Sequence, residues 1–193
     1  MKNLLRPYLT AFMMGTIVFA ASSCDGDEPK PVVEEKEQIT TVTLNLVPEG
    51  KGQNVTATFR DADGPGGVNA TVEALNLAPN TTYTGTVSFY DDSNATSEDI
   101  TPEIEEEGEE HQVFYEVLNT VTGQNLQDNL SVTERNNDVN GLPLGLQAKF
   151  TTAATSSGGL RVTLKHQPGE KNASSGIETG ETDVEVTFPV VIQ

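Results

Sequence analysis

Two histidines, one cysteine and a surplus of carboxylates are the side chains with chemistry to offer in these 193 residues. His111 follows the run "EIEEEGEE", in which Glu105, Glu106, Glu107, Glu109 and Glu110 surround Gly108. Imidazole among carboxylates suits zinc, copper or iron. His166 is the other histidine, so a structural zinc site would need both, with carboxylates, brought together by the fold. The same run can instead serve as a solvated acidic loop. In "RDADGPGG", Asp61 and Asp63 precede Gly64 as at the start of a calcium loop, where alternate carboxylates converge and glycine permits a sharp turn. Pro65, Gly66 and Gly67 supply no third oxygen side chain, although Glu73 stands near the distance of a distal ligand. A tight polar turn is the other reading of that stretch. The sequence holds no GxSxG and no Ser/His/Asp order for nucleophilic catalysis. Paired carboxylates are too abundant for any pair to indicate glycoside chemistry. The chain therefore reads as a binding protein and not as an enzyme.

The cysteine sits in "FAASSCDGDE". Lys2 and Arg6 lead into the uncharged, apolar run from Pro7 to Ala21, and small residues follow: a secretory signal peptide. Ala21, Ser22 and Ser23 before Cys24 resemble a bacterial lipoprotein lipobox, with alanine where leucine is usual. The resemblance implies cleavage before Cys24 and acylation of its thiol and amino group. One acyl chain holds a protein marginally and two or more hold it firmly, so such a cysteine is a membrane tether. The alternative is an ordinary signal peptide beside a free thiol, which is a liability in an oxidising compartment. Asp25, Asp27 and Glu28 resemble the surface-export signal of Bacteroidetes lipoproteins, which implies the outer face of the outer membrane. The periplasmic leaflet is the alternative.

These features divide the chain into a lipoprotein signal peptide at 1–23, an acidic flexible stalk at 24–38 and a single domain at 39–193. The stalk is rich in Pro and acid, a composition that cannot bury enough apolar surface to fold. A net charge of −18 repels nucleic acid and anionic headgroups, so nucleic-acid binding is excluded. No second cysteine is present for a disulfide, and the fold must rest on apolar burial and sheet hydrogen bonds.

The elements that must position the candidate ligands read as strands. "ITTVTLNLV" sets Val42, Leu44 and Leu46 on one face and Thr41, Thr43 and Asn45 on the other. "NVTATF", "TYTGTVSFY", "LQAKF", "LRVTLKH" and "DVEVTFPVVI" alternate likewise, and turn chemistry such as "PEGKG" and "QPGEKN" separates them. Strands at this spacing argue a β-sandwich or small barrel, and polar alternation argues against a parallel sheet, so the expectation is an all-β antiparallel β-sandwich. The acidic run is expected to form a hairpin turning at Glu107-Gly108, and Thr122 to Gly141 an irregular crossover loop, with a short helical turn at Leu126 and Leu130, four apart, as the alternative. "TVTLNLVPEGKG" and "RVTLKHQPGEKN" look alike and suggest two hairpins pairing edges.

Leu77, Pro79 and Tyr83 in "LNLAPNTTYTGTVSF" resemble the fibronectin type III stretch whose tyrosine hydroxyl bonds back to upstream backbone, which implies an immunoglobulin/fibronectin type III-like sandwich. The segments "SCDGDE", "EEKEQITTVTLNLVPEG", "FRDADGPGG", "EDITPEIEEEGEEHQVFY" and "GETDVEVTFPVVI" resemble small Bacteroidetes cell-envelope lipoproteins commonly labelled "type 1 periplasmic binding fold superfamily". That resemblance implies a cell-envelope lipoprotein and no reaction. The sequence expectation is a lipid-anchored surface module that captures a ligand, a zinc, copper or calcium ion or a metal complex, for a TonB-dependent outer-membrane transporter. A structural or adhesive surface lipoprotein without a small ligand is the alternative.

Overall fold

The computed structural model describes residues 37–64, 67–119 and 125–193. Cys24 and the leader and stalk before Glu37 lie outside the described residues. The alternation of "TVTLNLVP" becomes β1 (Thr41–Pro48), with Val42, Leu44 and Leu46 fully buried. β2 (Val55–Arg60) returns from it through the "PEGKG" turn, and β3 (Thr71–Val72) pairs with β2. β5 (Thr82–Asp91) flanks β1 on its other side, so that Leu44 stands between Ala57 and Val87. β6 (Glu98–Asp99) pairs with the far end of β5, and β9 (Gln147–Thr152) with its start. β8 (Leu130–Thr133) completes this first sheet, whose order is β3-β2-β1-β5-β9-β8 with β6 beside β5.

The second sheet is built from β7 (His111–Asn119), β10 (Ser156–His166) and β11 (Glu181–Ile192), with β4 (Leu75–Leu77) at its edge. Its order is β4-β11-β10-β7. β4 runs parallel to β11, the one parallel pairing among the described strands. Leu160, Val162 and Leu164 of β10 and Val186, Phe188 and Val190 of β11 face the same buried interior as the apolar rows of the first sheet. The result is an all-β sandwich of two sheets, as the period-two pattern requires. Gly85 shows how tightly the layers meet: a Cβ there would lie 2.3 Å from the Phe150 ring and 2.5 Å from Leu46. Tyr83 is buried, and its hydroxyl accepts the Ala78 N–H at 2.9 Å, the upstream backbone bond expected of it.

Three expectations need correction. The acidic run is not a hairpin; its first half is a short helix, α1 (Thr101–Glu106), followed by a turn into β7. Pro102 fits the first turn of a helix, Ile104 anchors the turn in the core, and a helix spreads glutamates that two facing strands would oppose. The segment from Thr122 to Gly141 is not all loop, because Leu130 is buried and β8 pairs with β9. Four residues are too few for alternation to stand out against the surrounding Asn and Asp. The two look-alike hairpin starts do not pair edges: β1 lies in one sheet and β10 in the other.

Candidate metal centre

β7 and β10 are antiparallel and their last ladder pair is His111 with His166. Period two then fixes the face. His111 lies on the side of Val113, and His166 on the side of Leu164 and Val162, all core-facing. Both apolar stripes thus end in a histidine at the same end of the sandwich. The rings stack with centroids 4.6 Å apart and planes 6° from parallel. His111 is fully buried, while His166 is at the margin of burial.

Each ring nitrogen of His111 has a defined neighbour. Nδ1 donates to the Glu107 carbonyl at 3.2 Å, which places the ring proton on that side. Nε2 then faces Glu37, whose Oε1 is 3.1 Å away, and Asp183, whose Oδ2 is 3.9 Å away. The Glu37 contact has hydrogen-bond length, and among the described residues Nε2 has no partner that meets full hydrogen-bond geometry. A lone pair beside two carboxylates is repulsive unless a proton or a cation stands between them. Burial drives the His111 pKa down, but Glu37, the Glu107 carbonyl and Asp183 outweigh it and leave it above the ordinary 6.5. Burial likewise raises Glu37, and the adjacent imidazoles overcome that and hold it below the ordinary 4.5.

Asp183 owes its position to an irregularity. Leu164 pairs with Val184 but Lys165 with Thr182, so β11 carries one extra residue there, Asp183. A bulge of this kind re-aims a side chain, and the Asp183 side chain is only 2% exposed on a strand whose other odd-numbered residues face outward.

One ligand atom each from Glu37, His111 and His166 falls within a sphere of mutual separations no larger than 4.8 Å. Two imidazoles and a carboxylate are a mixed nitrogen and oxygen set for zinc or copper, and three protein ligands leave a position for an exogenous group. The backbone carbonyl on Nδ1 is the outer partner that orients a ligating imidazole and keeps Nε2 free to coordinate. This cluster could hold a metal ion.

No family model, curated protein or solved structure matches the chain. The site is therefore weighed on its own geometry. Of the acidic run, Glu107 lies 3.9 Å from His111 Nδ1 with an exposed carboxylate, and Glu110 Oε2 lies 3.5 Å from His166 Nε2. Glu105 and Glu106 are exposed on α1, and Glu109 is exposed and accepts a bond from Asn140 at 3.2 Å. Among the described residues, Asp61 and Asp63 form no three-ligand group with the histidines. Asp63 accepts the Val68 N–H at 2.7 Å and so braces its own turn, and Glu73 accepts the Thr58 N–H at 3.0 Å. Among the described residues Glu37, His111 and His166 are the only three such groups that converge, and Asp61, Asp63 and Glu73 are not among them. Glu37 and Asp183 are the participants that sequence reasoning missed. Glu37 was counted with the stalk, yet its side chain is 8% exposed against His111.

Proposed function

We propose that this chain is a lipid-anchored surface module that captures a divalent transition-metal ion, or a complex of one, for a TonB-dependent outer-membrane transporter. The convergence of Glu37, His111 and His166 carries the reading. Capture and release suit three protein ligands at the end of a sandwich better than a closed four-ligand site, because the open position can accept the ligand of a complex or a transfer partner. The lipobox at Cys24 and the acidic residues after it support the anchor and the outward-facing leaflet. The negative charge of the chain favours cation encounter.

Calorimetric titration of the purified full chain with zinc and cupric ions tests this. One site per chain with a Kd on the order of micromolar or tighter is expected. His166→Gln and Glu37→Gln, which replace the two ligands by neutral groups of similar size, should each weaken it at least about tenfold. Binding no tighter than millimolar in the wild type, or unchanged affinity in both variants, rules the metal reading out. Protease shaving of intact cells checks the leaflet, with loss of the domain from the surface as the expected result.

A further inference from the structure

Of the three groups that converge at the candidate metal centre, two are fixed by a sheet and one is not. His111 and His166 are a ladder pair of β7 and β10, and β10 is itself paired on both sides. Glu37 stands outside the strands, four residues before β1. Among the described residues, the first backbone-to-backbone hydrogen bonds of this segment are made at Thr40. Its N–H donates to the Tyr90 carbonyl at 3.0 Å, and its carbonyl accepts the Asp61 N–H at 2.8 Å. Glu37, Gln38 and Ile39 take part in none. They form an arm held by side chains: Ile39 is partly buried and packed against the core, Gln38 is exposed, and Glu37 is turned against His111.

The arm lies where the two sheets face each other. Its residues line a cleft together with Phe59 of β2, in the first sheet, and with Val184 and Glu185 of β11, in the second. A carboxylate gains nothing there from apolar burial and loses its water. The Glu37 side chain is nonetheless only 8% exposed, with Oε1 3.1 Å from His111 Nε2. A segment with so few backbone hydrogen bonds opens locally at small cost, so what the carboxylate meets at His111 decides whether the arm stays. A cation shared by Glu37 and the imidazoles attracts it. Without one, a desolvated carboxylate faces a desolvated lone pair, which opposes seating.

We propose that the arm at 37–39 is a metal-controlled latch: capture of the ion seats it between the sheets, and release lets it lift. This rests on the metal reading and adds its regulation. Seating and binding are reciprocally linked, so whatever lifts the arm lowers metal affinity by the same factor. The same arm joins β1 to the acidic stretch that leads back to Cys24. Seated, the domain is held from Glu37 onward; lifted, it is held from Thr40. Three extended residues add roughly 10 Å of reach, so metal occupancy sets how far a tethered domain can move from its anchor.

Hydrogen exchange of the full chain, read by mass spectrometry at constant pH with and without saturating zinc, tests this beside the calorimetric titration. Exchange at 37–39 is expected to slow at least about tenfold with zinc, while the exposed turn at 51–54 is unchanged. Glu37→Gln, at zinc concentrations that saturate it, should show no slowing at 37–39. Zinc bound by the wild type with unchanged exchange at 37–39 overturns the latch and leaves the metal reading standing. Slowing retained in saturated Glu37→Gln, or equal slowing at 51–54, also overturns it, because the arm would then follow a general tightening and not its own ligand. Absence of zinc binding overturns both.

Discussion

His111 Nε2 has to meet either a proton or a cation, and the residues around it decide how strongly. Asp183 adds a second negative group to the Glu37 contact from 3.9 Å. Asp183→Asn keeps shape and removes charge, and zinc affinity is expected to fall about ten- to hundredfold, the range for outer-sphere partners, with the folded far-ultraviolet spectrum retained. Unchanged zinc affinity would remove Asp183 from the site. The two histidines were legible from the sequence as rare side chains, and their facing follows from strand period, since each ends an apolar stripe. Their pairing was not legible, because register between β7 and β10 is set by contacts between distant parts of the chain. Glu37 was hidden by its company in an acidic, Pro-rich segment. Asp183 was hidden because strict alternation puts it on the outer face, and only the bulge turns it inward.

At the scale of elements, the connections around the site are pinned by one buried ion pair. Lys171, in the connection from β10 to β11, contacts Asp138 Oδ2 at 2.7 Å with both side chains almost wholly buried, and its ammonium also donates to the Gly108 carbonyl. Asp138 in turn accepts the Leu142 and Asn140 N–H groups. The pair thus ties the turn before β7 to the connections after β8 and β10. Removing one partner of such a pair strands a buried charge, so Asp138→Asn and Lys171→Met should each cost about 3–5 kcal/mol, and the double variant less than their sum. Burial raises the Asp138 carboxyl, but Lys171 and the two backbone donors outweigh it and hold it below the ordinary 3.8. A depressed carboxyl stabilises the fold above its unfolded pKa and loses that contribution as pH falls through the lower folded value. Urea midpoints should therefore separate wild type from the double variant fully at neutral pH and progressively less below about pH 4. A gap that does not shrink on acidification would refute this. The strands themselves were readable from alternation because one face of each is buried. α1 and β8 were not, because a six-residue helix and a four-residue strand are too short for periodicity and are chosen by the core contacts of Ile104 and Leu130.

Over the whole molecule, the candidate metal centre and the corner made by the Tyr83 hydroxyl on the Ala78 N–H occupy opposite ends of the strands. His166 closes β10 while Ser156 opens it, and Tyr83 is opposite Pro48, at the far end of β1 from Thr41. An eleven-residue strand such as β10 spans roughly 35 Å. One core joins the two ends, so they share global stability without sharing contacts. Tyr83→Phe leaves the Ala78 N–H without its acceptor and should destabilise the fold by about 1–3 kcal/mol. Zinc at the other end should add stability by mass action, as RT ln(1 + [Zn]/Kd), and that increment depends only on affinity for the folded state. The same zinc concentration should then raise the unfolding free energy of Tyr83→Phe and of wild type by equal amounts, although the two start from different values. Equal increments would mean that the corner sets stability and the histidine end sets binding. A smaller increment in Tyr83→Phe would mean that loosening one end of the sandwich disorders the ligands at the other, and the separation of the two roles would be wrong.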